Sequence, residues 1–400
     1  MSMQLREGKQ QQQGGLAGVW RDRIAAGELG LLPVMLALVV IWIIFQSVNS
    51  HFLSGRNMSN LILQIAEIGM LGIGETFILL LGEIDLSIAA VSGVAAAVLV
   101  LMSGAHVNPW LCILAAVVVG AVIGVFQGFW VTIIGVPAFI VTLAGSLGYQ
   151  GILLAFLGNT GTVPIFNQTL LNIAASYVPG WLGWALVVVA VAGYAAGLIG
   201  IQQGRRKRNL SAMSARSMTW RLVLLGVVSV VVVGALNSYR GVPVAGLILL
   251  VFVVLFAYIT QATVFGRHIY AVGGNKEAAR RAGINIRSIR VIVFTLSGVM
   301  GAIGGIIGAS RLGSASPASG GGDLLLDSIA AAVIGGTSLF GGRGSVWNAL
   351  AGALVIGSVE NGMDLLSAPS STKYIVEGGI LLIAVTIDTM TRNRRKVVGR

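Results

Sequence analysis

Residues 109–132 read PWLCILAAVVVGAVIGVFQGFWVT, a stretch without a single charged side chain. A helix needs about 20 apolar residues to cross the roughly 30 Å hydrocarbon core of a bilayer, and this stretch is long enough. Comparable apolar runs recur from Leu29 to Met390 with no long polar stretch between them. The sequence therefore predicts an all-α, polytopic membrane protein.

The composition excludes an ordinary soluble protein. Of the 400 residues, 56% are hydrophobic and only 10% are charged, whereas a typical soluble domain has about 25% charged residues. We expect one transmembrane domain, residues 29–390, preceded by a polar cytoplasmic tail, residues 1–28, and followed by a basic cytoplasmic tail, residues 391–400.

The apolar runs predict twelve spans, with ten or eleven as the alternative count. The weakest are 325–340, which is also compatible with a re-entrant segment, and the break between Gly82 and Asp85. The first run is as long as a full span, so we interpret it as a true helix and not as a cleaved signal peptide. The predicted spans are 29–48, 60–82, 87–104, 109–132, 138–157, 179–200, 221–237, 244–262, 290–309, 325–340, 345–364 and 373–390.

The net charge of +12 is distributed at the ends of the spans and forms no basic domain, so no nucleic-acid partner is expected. With a cytoplasmic N-terminus, the outer loops hold four of the 26 Lys and Arg residues and the inner side holds 22: the four are Arg56, Arg240, Arg311 and Lys373. The positive-inside rule then predicts that both termini lie in the cytoplasm. Its cytoplasmic loops are 201–220 and 263–289.

Small residues predict close helix packing. Gly301, Gly304, Gly305 and Gly308 form two overlapping GxxxG pairs, which let helix backbones approach each other. A second pattern is an internal sequence similarity, or sequence echo. IDLSIAA at 84–90 resembles LDSIAA at 326–331, and a Trp-containing span follows each. In the predicted topology the two copies run in opposite directions, as in inverted-topology repeats.

The motifs of metal and nucleotide sites are missing from the sequence. Cys112 is the single cysteine, and His51, His106 and His268 are isolated, so we expect no metal, no disulfide and no cofactor. No Gly-rich loop has the GxxxxGK[ST] spacing that holds nucleotide phosphates. Any energy from ATP must therefore come from another subunit.

Acidic residues inside the bilayer are costly, at about 2.5 to 3.5 kcal/mol each near a helix centre. Such residues normally face a cavity or a partner, so we consider Glu67, Glu75, Glu83, Asp85 and the polar Asn361 as candidates for a translocation path. For Glu83 and Asp85, helix-end capping is an equal alternative. A proton- or sodium-coupled carrier would also need such carboxylates. Further acidic residues in or near the last two spans are Glu360, Asp364 and Glu377.

The inner loop FGRHIYAVGGNKEAARRAGI, residues 265–284, contains good helix formers from Lys276 to Ala282 and a natural stop at Gly283. It predicts a short amphipathic helix at the membrane surface. Such a helix can dock into a groove of a soluble partner. The alternative is a basic loop that only anchors the topology.

The spacing Glu277-Ala278-Ala279, three residues, then Gly283 resembles the EAA-x3-G coupling motif of bacterial ATP-binding cassette (ABC) importer permeases, although the Ile-x-Leu-Pro continuation is absent. Three further segments are similar to the ribose, xylose and galactoside branch, and extend the resemblance from Asn57 to Ala384. They are EIDLS at 83–87, VPAFIVTLAG at 136–145 and DSIAAAVIGGTSL at 327–339.

This resemblance implies a type II-like permease subunit of a bacterial inner membrane, which catalyses no covalent chemistry. It implies a homodimer, two copies of an ATPase that binds the ATP, and a periplasmic sugar-binding protein. The residues implied in coupling to the ATPase are Glu277, Ala278, Ala279, Gly283 and Arg267.

The extra pair of spans around 180–237 and the segment 237–243 resemble xylose permeases, so xylose is expected before ribose. Glu75 departs from the apolar residue usual in the family. A membrane-embedded enzyme remains a rival, but the sequence shows no nucleophile–base pair for it.

Overall fold

The computed structural model describes residues 32–210 and 214–397. The predicted tail 1–28, residues 211–213 in the predicted basic loop and residues 398–400 lie outside this range. The described chain is almost entirely helical. Its helices are α1 (Leu32–Val48), α2 (Gly55–Leu80), α3 (Ile88–Gly104), α4 (Pro109–Phe129, extended by a π-helical turn Trp130–Ile134), α5 (Ala138–Leu157), α6 (Gln168–Ala175), α7 (Gly180–Lys207), α8 (Ala215–Asn237), α9 (Val244–Ala262), α10 (Val264–Gly274), α11 (Lys276–Arg281), α12 (Ile286–Leu312), α13 (Leu324–Ile334), α14 (Val346–Leu365) and α15 (Ser370–Val397).

Local sequence explains many of the helix ends. Ser54, Asn108 and Asn285 each cap a helix, because their side-chain oxygens accept a hydrogen bond from a backbone N–H in the first turn. Gly313, with a φ of +67°, ends α12 in the left-handed conformation that glycine adopts without strain.

Four two-residue strands pair at one end of the described bundle. β1 (Val163–Pro164) is antiparallel to β4 (Ser314–Ala315), and β2 (Tyr177–Val178) is antiparallel to β3 (Val242–Pro243). We call this end the strand end. The opposite end, which carries α10, α11 and Arg205–Arg208, is the basic end. The four basic residues predicted for outer loops all lie toward the strand end.

Eleven of the twelve predicted spans correspond to helices of 17 or more residues. By length and apolar composition together, seven described helices could cross a membrane: α2, α4, α5, α7, α8, α9 and α12. The predicted number of twelve is therefore not reached on these two criteria. The last helix also continues to Val397, into the predicted tail 391–400.

The predicted span 325–340 is corrected by the structure. Its helix, α13, has only 11 residues, about 16 Å in length, which is too short for a bilayer. The preceding segment 313–323 is largely non-helical and enters the bundle, where Gly320 contacts the backbone of Ala89 and Gly93. After α13, Gly341 contacts Gly82 at the basic end. The chain thus passes from the strand end to the basic end through a loop and a half-helix, and does not return as a re-entrant segment would.

Helices α2 and α12 form the centre of the bundle and run antiparallel. The four glycines predicted to pack closely all do so. Gly301 faces Ile88, Gly304 faces Leu71, Gly305 faces the carbonyl of Ser92, and Gly308 faces the carboxylate of Glu67. A Cβ at Gly305 would lie 2.1 Å from the Ser92 oxygen, so only glycine permits this approach.

The packing around α2 and α12 has the arrangement that the sequence echo predicted. Helix α12 packs on α2, α3 and α4, whereas α2 packs on α12, α13 and α14. Within these two triplets, α3 begins near the basic end and α13 runs toward it. The segments α2–α4 and α12–α14 thus have the opposite directions that an inverted repeat requires, and each has a middle helix of 17 residues or fewer preceded by a non-helical stretch.

Candidate functional site

The predicted coupling segment folds as two short helices, α10 and α11. Asn275 lies between them, and its side-chain oxygen accepts a hydrogen bond from the backbone N–H of Ala278 at 2.9 Å. Gly283 has a φ of +79°, and the N–H of Ile284 bonds to the carbonyl of Ala279. The prediction that the helix stops at Gly283 is confirmed, and Gly283 adopts the left-handed conformation there.

The five predicted coupling residues do not share one face. Glu277, Ala278, Gly283 and Arg267 are exposed, but Ala279 is buried in the protein's own core. The Glu277 carboxylate lies 3.8 Å from the Arg280 guanidinium and 3.7 Å from that of Arg281. A partner docking on α11 would therefore contact Glu277 and Ala278, while Ala279 fixes the helix to the bundle.

Behind α11 lies a close-packed region that we call the junction, formed by Leu80, Glu83, Gly273, Lys276, Arg290, Gly342 and Gly344. Glu83 is 11% exposed and accepts hydrogen bonds from Lys276 Nζ at 2.7 Å and from Arg290 Nη2 at 2.6 Å. The Gly342 N–H donates to the Leu80 carbonyl at 2.9 Å, and the Tyr270 hydroxyl donates to the Gly344 carbonyl at 2.8 Å. The junction thus joins α10 and α11 to α2, α12 and the turn after α13.

Three of the predicted path residues do not line the cavity described below. Glu83 lies in the junction. Asp85 is buried and accepts from the Ser87 N–H, the Ser87 hydroxyl at 2.6 Å and the Ser297 hydroxyl at 3.0 Å, which attaches the start of α3 to α12. Glu75 is fully buried in α2, and neither of its carboxylate oxygens has a hydrogen-bond partner in the part of the chain that the structure describes.

A polar cavity of about 200 Å³ lies between α2, α3, α12, α13, α14 and the segment 313–323. Glu67, a predicted path residue, lines it and accepts a hydrogen bond from Arg311 Nη2 at 3.1 Å. Polar side chains make up much of the wall: Gln64, Glu67, Ser92, Arg311, Ser319, Asp323, Asp327 and Glu360. With four carboxylates and one guanidinium, the wall is rich in hydrogen-bond acceptors.

Asn361, the remaining predicted path residue, lies behind the cavity wall. Its side-chain amide donates to Gln64 Oε1 at 2.9 Å, and its oxygen accepts from Asn57 Nδ2 at 2.7 Å. Asn361 thereby orients Gln64, which lines the cavity. Of the five predicted path residues, Glu67 lines the cavity and Asn361 supports its wall. The other three, Glu75, Glu83 and Asp85, lie nearer the basic end.

Sequence reasoning missed several cavity residues. Arg311 was interpreted as a loop cation, and Gln64 and Asp323 were not considered. One available signal was the position of Arg311 three residues after Gly308, in the glycine run of α12. A cation at that distance from close-packed glycines faces the neighbouring helix, because residues three apart share a helix face.

Comparison with known proteins identifies the family. Residues 57–385 match the family described as "Branched-chain amino acid transport system / permease component", in agreement with the predicted extent of 57–384. The xylose transport system permease protein XylH of Haemophilus influenzae is 40% identical over 93% of this chain and 99% of its own length. XylH of Escherichia coli K12 is 38% identical over 92% of this chain and 93% of its own length.

The ribose import permease RbsC of Escherichia coli K12 is 29% identical over 88% of this chain and 92% of its own length. No solved structure matches the chain. The predicted resemblance to sugar permeases is confirmed by these relatives, each of which is named as a transport permease. The chain therefore belongs to the "Branched-chain amino acid transport system / permease component" family, a family of polytopic ABC importer permeases.

Proposed function

We propose that this chain is the membrane-spanning subunit of an ATP-driven importer for a pentose, D-xylose before D-ribose. The observation that supports this most strongly is the 40% identity to a xylose permease across 93% of the chain. The family description names branched-chain amino acids, so these are the competing substrate.

The geometry of the cavity favours the sugar. Its carboxylates, Gln64 and the Arg311 guanidinium can pair with every hydroxyl of a pentose, since a hydroxyl both donates and accepts. A branched-chain amino acid could pair its ammonium and carboxylate groups with the acidic residues and Arg311, but its aliphatic side chain would leave the other buried polar groups without partners, which costs about 1 to 3 kcal/mol for each group. We therefore place the sugar's passage through this cavity.

The strand end faces the periplasm and the basic end faces the cytoplasm in this proposal. The distribution of basic residues supports this orientation, because among the Lys and Arg residues that the structure describes only Arg56, Arg240, Arg311 and Lys373 lie toward the strand end. A sugar-binding protein then docks at the strand end, two ATPase copies dock at the basic end, and two copies of this chain form the transporter. Both termini are cytoplasmic.

In this proposal, movement of the ATPase is transmitted to the cavity through α2 and α13. Movement of α11 reaches α2 through the Lys276–Glu83 ion pair and the contact of Gly273 with the Leu80 carbonyl. Glu67 lies on the same helix, 13 residues from Leu80, or about 20 Å away. The Gly342–Leu80 hydrogen bond links the turn after α13 to the same point. A rigid displacement at the junction thus shifts two walls of the cavity together.

Uptake by a strain lacking this chain tests the proposal. The deletion strain, with and without a plasmid copy, is given radiolabelled D-xylose, D-ribose or L-leucine at low concentration. We expect loss and restoration of xylose uptake, with leucine uptake unchanged. Arsenate, which depletes ATP, abolishes the restored uptake, whereas brief treatment with a protonophore leaves most of it.

Two results would contradict the proposal. Loss of leucine uptake alone would assign the amino-acid substrate of the family description. Uptake that resists arsenate but collapses with the protonophore would identify an ion-coupled secondary transporter.

A further inference from the structure

Three carboxylates from α15 and from the start of α13 converge beside the cavity. Asp323, Asp327 and Glu377 each present an oxygen, and these three oxygens all lie within 4.8 Å of one another. Asp323 and Asp327 also line the cavity. In sequence, Glu377 is 50 residues from Asp327, so only the packing of α15 on α13 brings the group together.

The buried members of this cluster lack partners. Asp327 is 2% exposed and Glu377 is 3% exposed. Within residues 32–210 and 214–397, no hydrogen-bond partner meets Asp327 Oδ1 or either carboxylate oxygen of Glu377. Buried polar atoms normally have at least one partner, and buried charges are normally paired or coordinate a metal.

The neighbouring cations are engaged elsewhere. Lys373, one turn before Glu377, donates to Asp364, and Arg311 donates to Glu67. Three carboxylates this close repel one another strongly in a bilayer, where the dielectric constant is low. The geometry therefore calls for a cation at their common centre.

We infer that Asp323, Asp327 and Glu377 form a Ca²⁺ site that joins the half-helix α13 to α15. Carboxylate oxygens are the ligands that Ca²⁺ prefers, at about 2.3 to 2.6 Å, so opposite ligands lie up to about 5 Å apart. Mg²⁺ binds at about 2.0 to 2.1 Å, which limits opposite oxygens to about 4.2 Å. Oxygens within 4.8 Å of one another can all ligate a single Ca²⁺, and separations near this limit would be too long for Mg²⁺.

The remaining coordination positions of the ion face the cavity, where water completes the shell of six to eight oxygens typical of Ca²⁺. Further along α13, toward the basic end, Ile329 and Val333 pack with Ala384 and Val385 of α15. The cation thus holds the N-terminal part of α13 against α15, and the apolar contacts hold its C-terminal part. It fixes the half-helix that forms one wall of the cavity.

Calcium titration of the purified full-length chain in nanodiscs tests this site without any transport measurement. With CaCl2 as the only added ligand, calorimetry should report one site per chain, with a dissociation constant between about 10⁻⁵ and 10⁻³ M. The midpoint of thermal unfolding should rise with CaCl2 relative to EGTA, and rise less with MgCl2.

Asp327→Asn and Glu377→Gln should each abolish calcium binding and the calcium-dependent rise of the unfolding midpoint. Glu277→Gln is the matched control, because Glu277 is an exposed carboxylate on α11 at the opposite end of the bundle; its calcium response should equal that of the unchanged chain. Asp323→Asn, the least buried of the three, provides a variant whose folding is least at risk.

The inference is overturned if the unchanged chain shows no calcium response, or if its unfolding midpoint depends on pH alone, since protons would then neutralise the cluster. It is equally overturned if Asp323→Asn and either buried variant bind calcium as the unchanged chain does. Because the readout is binding by the isolated chain, a failure here leaves the proposed transport function standing, and a failure of transport leaves this site standing.

Discussion

The cavity and the junction are both polar, but they satisfy their charges in opposite ways. In the junction, the single carboxylate of Glu83 is shared by two cations, and glycines bring backbones into direct contact. In the cavity wall, four carboxylates face one guanidinium, and the space between them is open. A region with paired charges and no free volume transmits displacement, whereas one with excess acceptors and free volume can receive a ligand. Single substitutions should therefore reduce stability most in the junction and least in the cavity.

The largest effect is expected from Gly273→Ala in the junction. A Cβ at Gly273 would lie 1.7 Å from the Leu80 carbonyl oxygen and 2.7 Å from the Gly342 nitrogen, both of which are backbone atoms that cannot rotate away. Overpacking of this kind costs about 3 kcal/mol or more. We expect a large fall in the thermal unfolding midpoint of the detergent-solubilised chain, and loss of uptake.

Gly274→Ala is the matched control, because a Cβ at Gly274 meets nothing within 4 Å. Both glycines lie in the last turn of α10, so helix propensity changes equally. Equal unfolding midpoints for the two variants would show that the junction is not close-packed.

Glu83→Gln should be the next most damaging change. It leaves Arg290 buried with a neutral partner, and loss of one member of a buried pair costs about 3 to 5 kcal/mol. Because Lys276 is half exposed, we expect about 2 to 3 kcal/mol, measured as a lower unfolding midpoint. Glu277→Gln, which changes an exposed carboxylate, should alter stability by less than about 0.5 kcal/mol. If the two variants were equally stable, Glu83 would not hold α11 to the bundle.

Gly283→Val should cost about 1 to 2 kcal/mol, because a β-branched residue is strained at a φ of +79°. A Cβ there meets nothing within 4 Å, so the effect comes from the backbone alone. We expect normal membrane insertion but loss of uptake and of sugar-stimulated ATP hydrolysis, with a partial loss for Glu277→Gln. Gly283→Asn, which tolerates this conformation, should keep most of the activity. Full transport by Gly283→Val would show that α11 is not the coupling element.

Glu67→Gln in the cavity should have the smallest effect on stability, below about 1 kcal/mol, because Arg311 is 28% exposed to the open cavity and keeps three other carboxylates in the same wall. Uptake should fall by about tenfold, since a hydrogen bond to a charged group contributes about 1.5 to 3 kcal/mol. Initial rates of xylose uptake at sugar concentrations well below half-saturation measure this loss of affinity. An unfolding midpoint lowered as much as in Glu83→Gln, with unchanged uptake, would reverse the roles assigned to the two regions.

Much of the fold could be predicted because membrane helices record their length and apolar character locally. Eleven predicted spans coincide with long helices, and the glycine run of α12 packs as expected. The span 325–340 was wrong because its helix ends at Ile334, while residues 313–323, whose Gly, Ser and Pro content is typical of a surface loop, enter the bundle before it. There they contact α3, as Gly320 contacts Ala89, and no local pattern reveals this contact.

For the site, sequence alone determined which residues are costly in a membrane and that residues 276–283 form a capped surface helix, since charge and backbone preference are properties of single residues. Tertiary structure decided where those residues act. Glu67 and Glu83 look alike in sequence, yet one faces open space beside Arg311 and the other is enclosed by Lys276 and Arg290. The cluster of Asp323, Asp327 and Glu377 likewise exists only because α15 packs on α13. The physical reason is that an interaction between charges depends on their separation and surroundings, and both are set by helices distant in the chain.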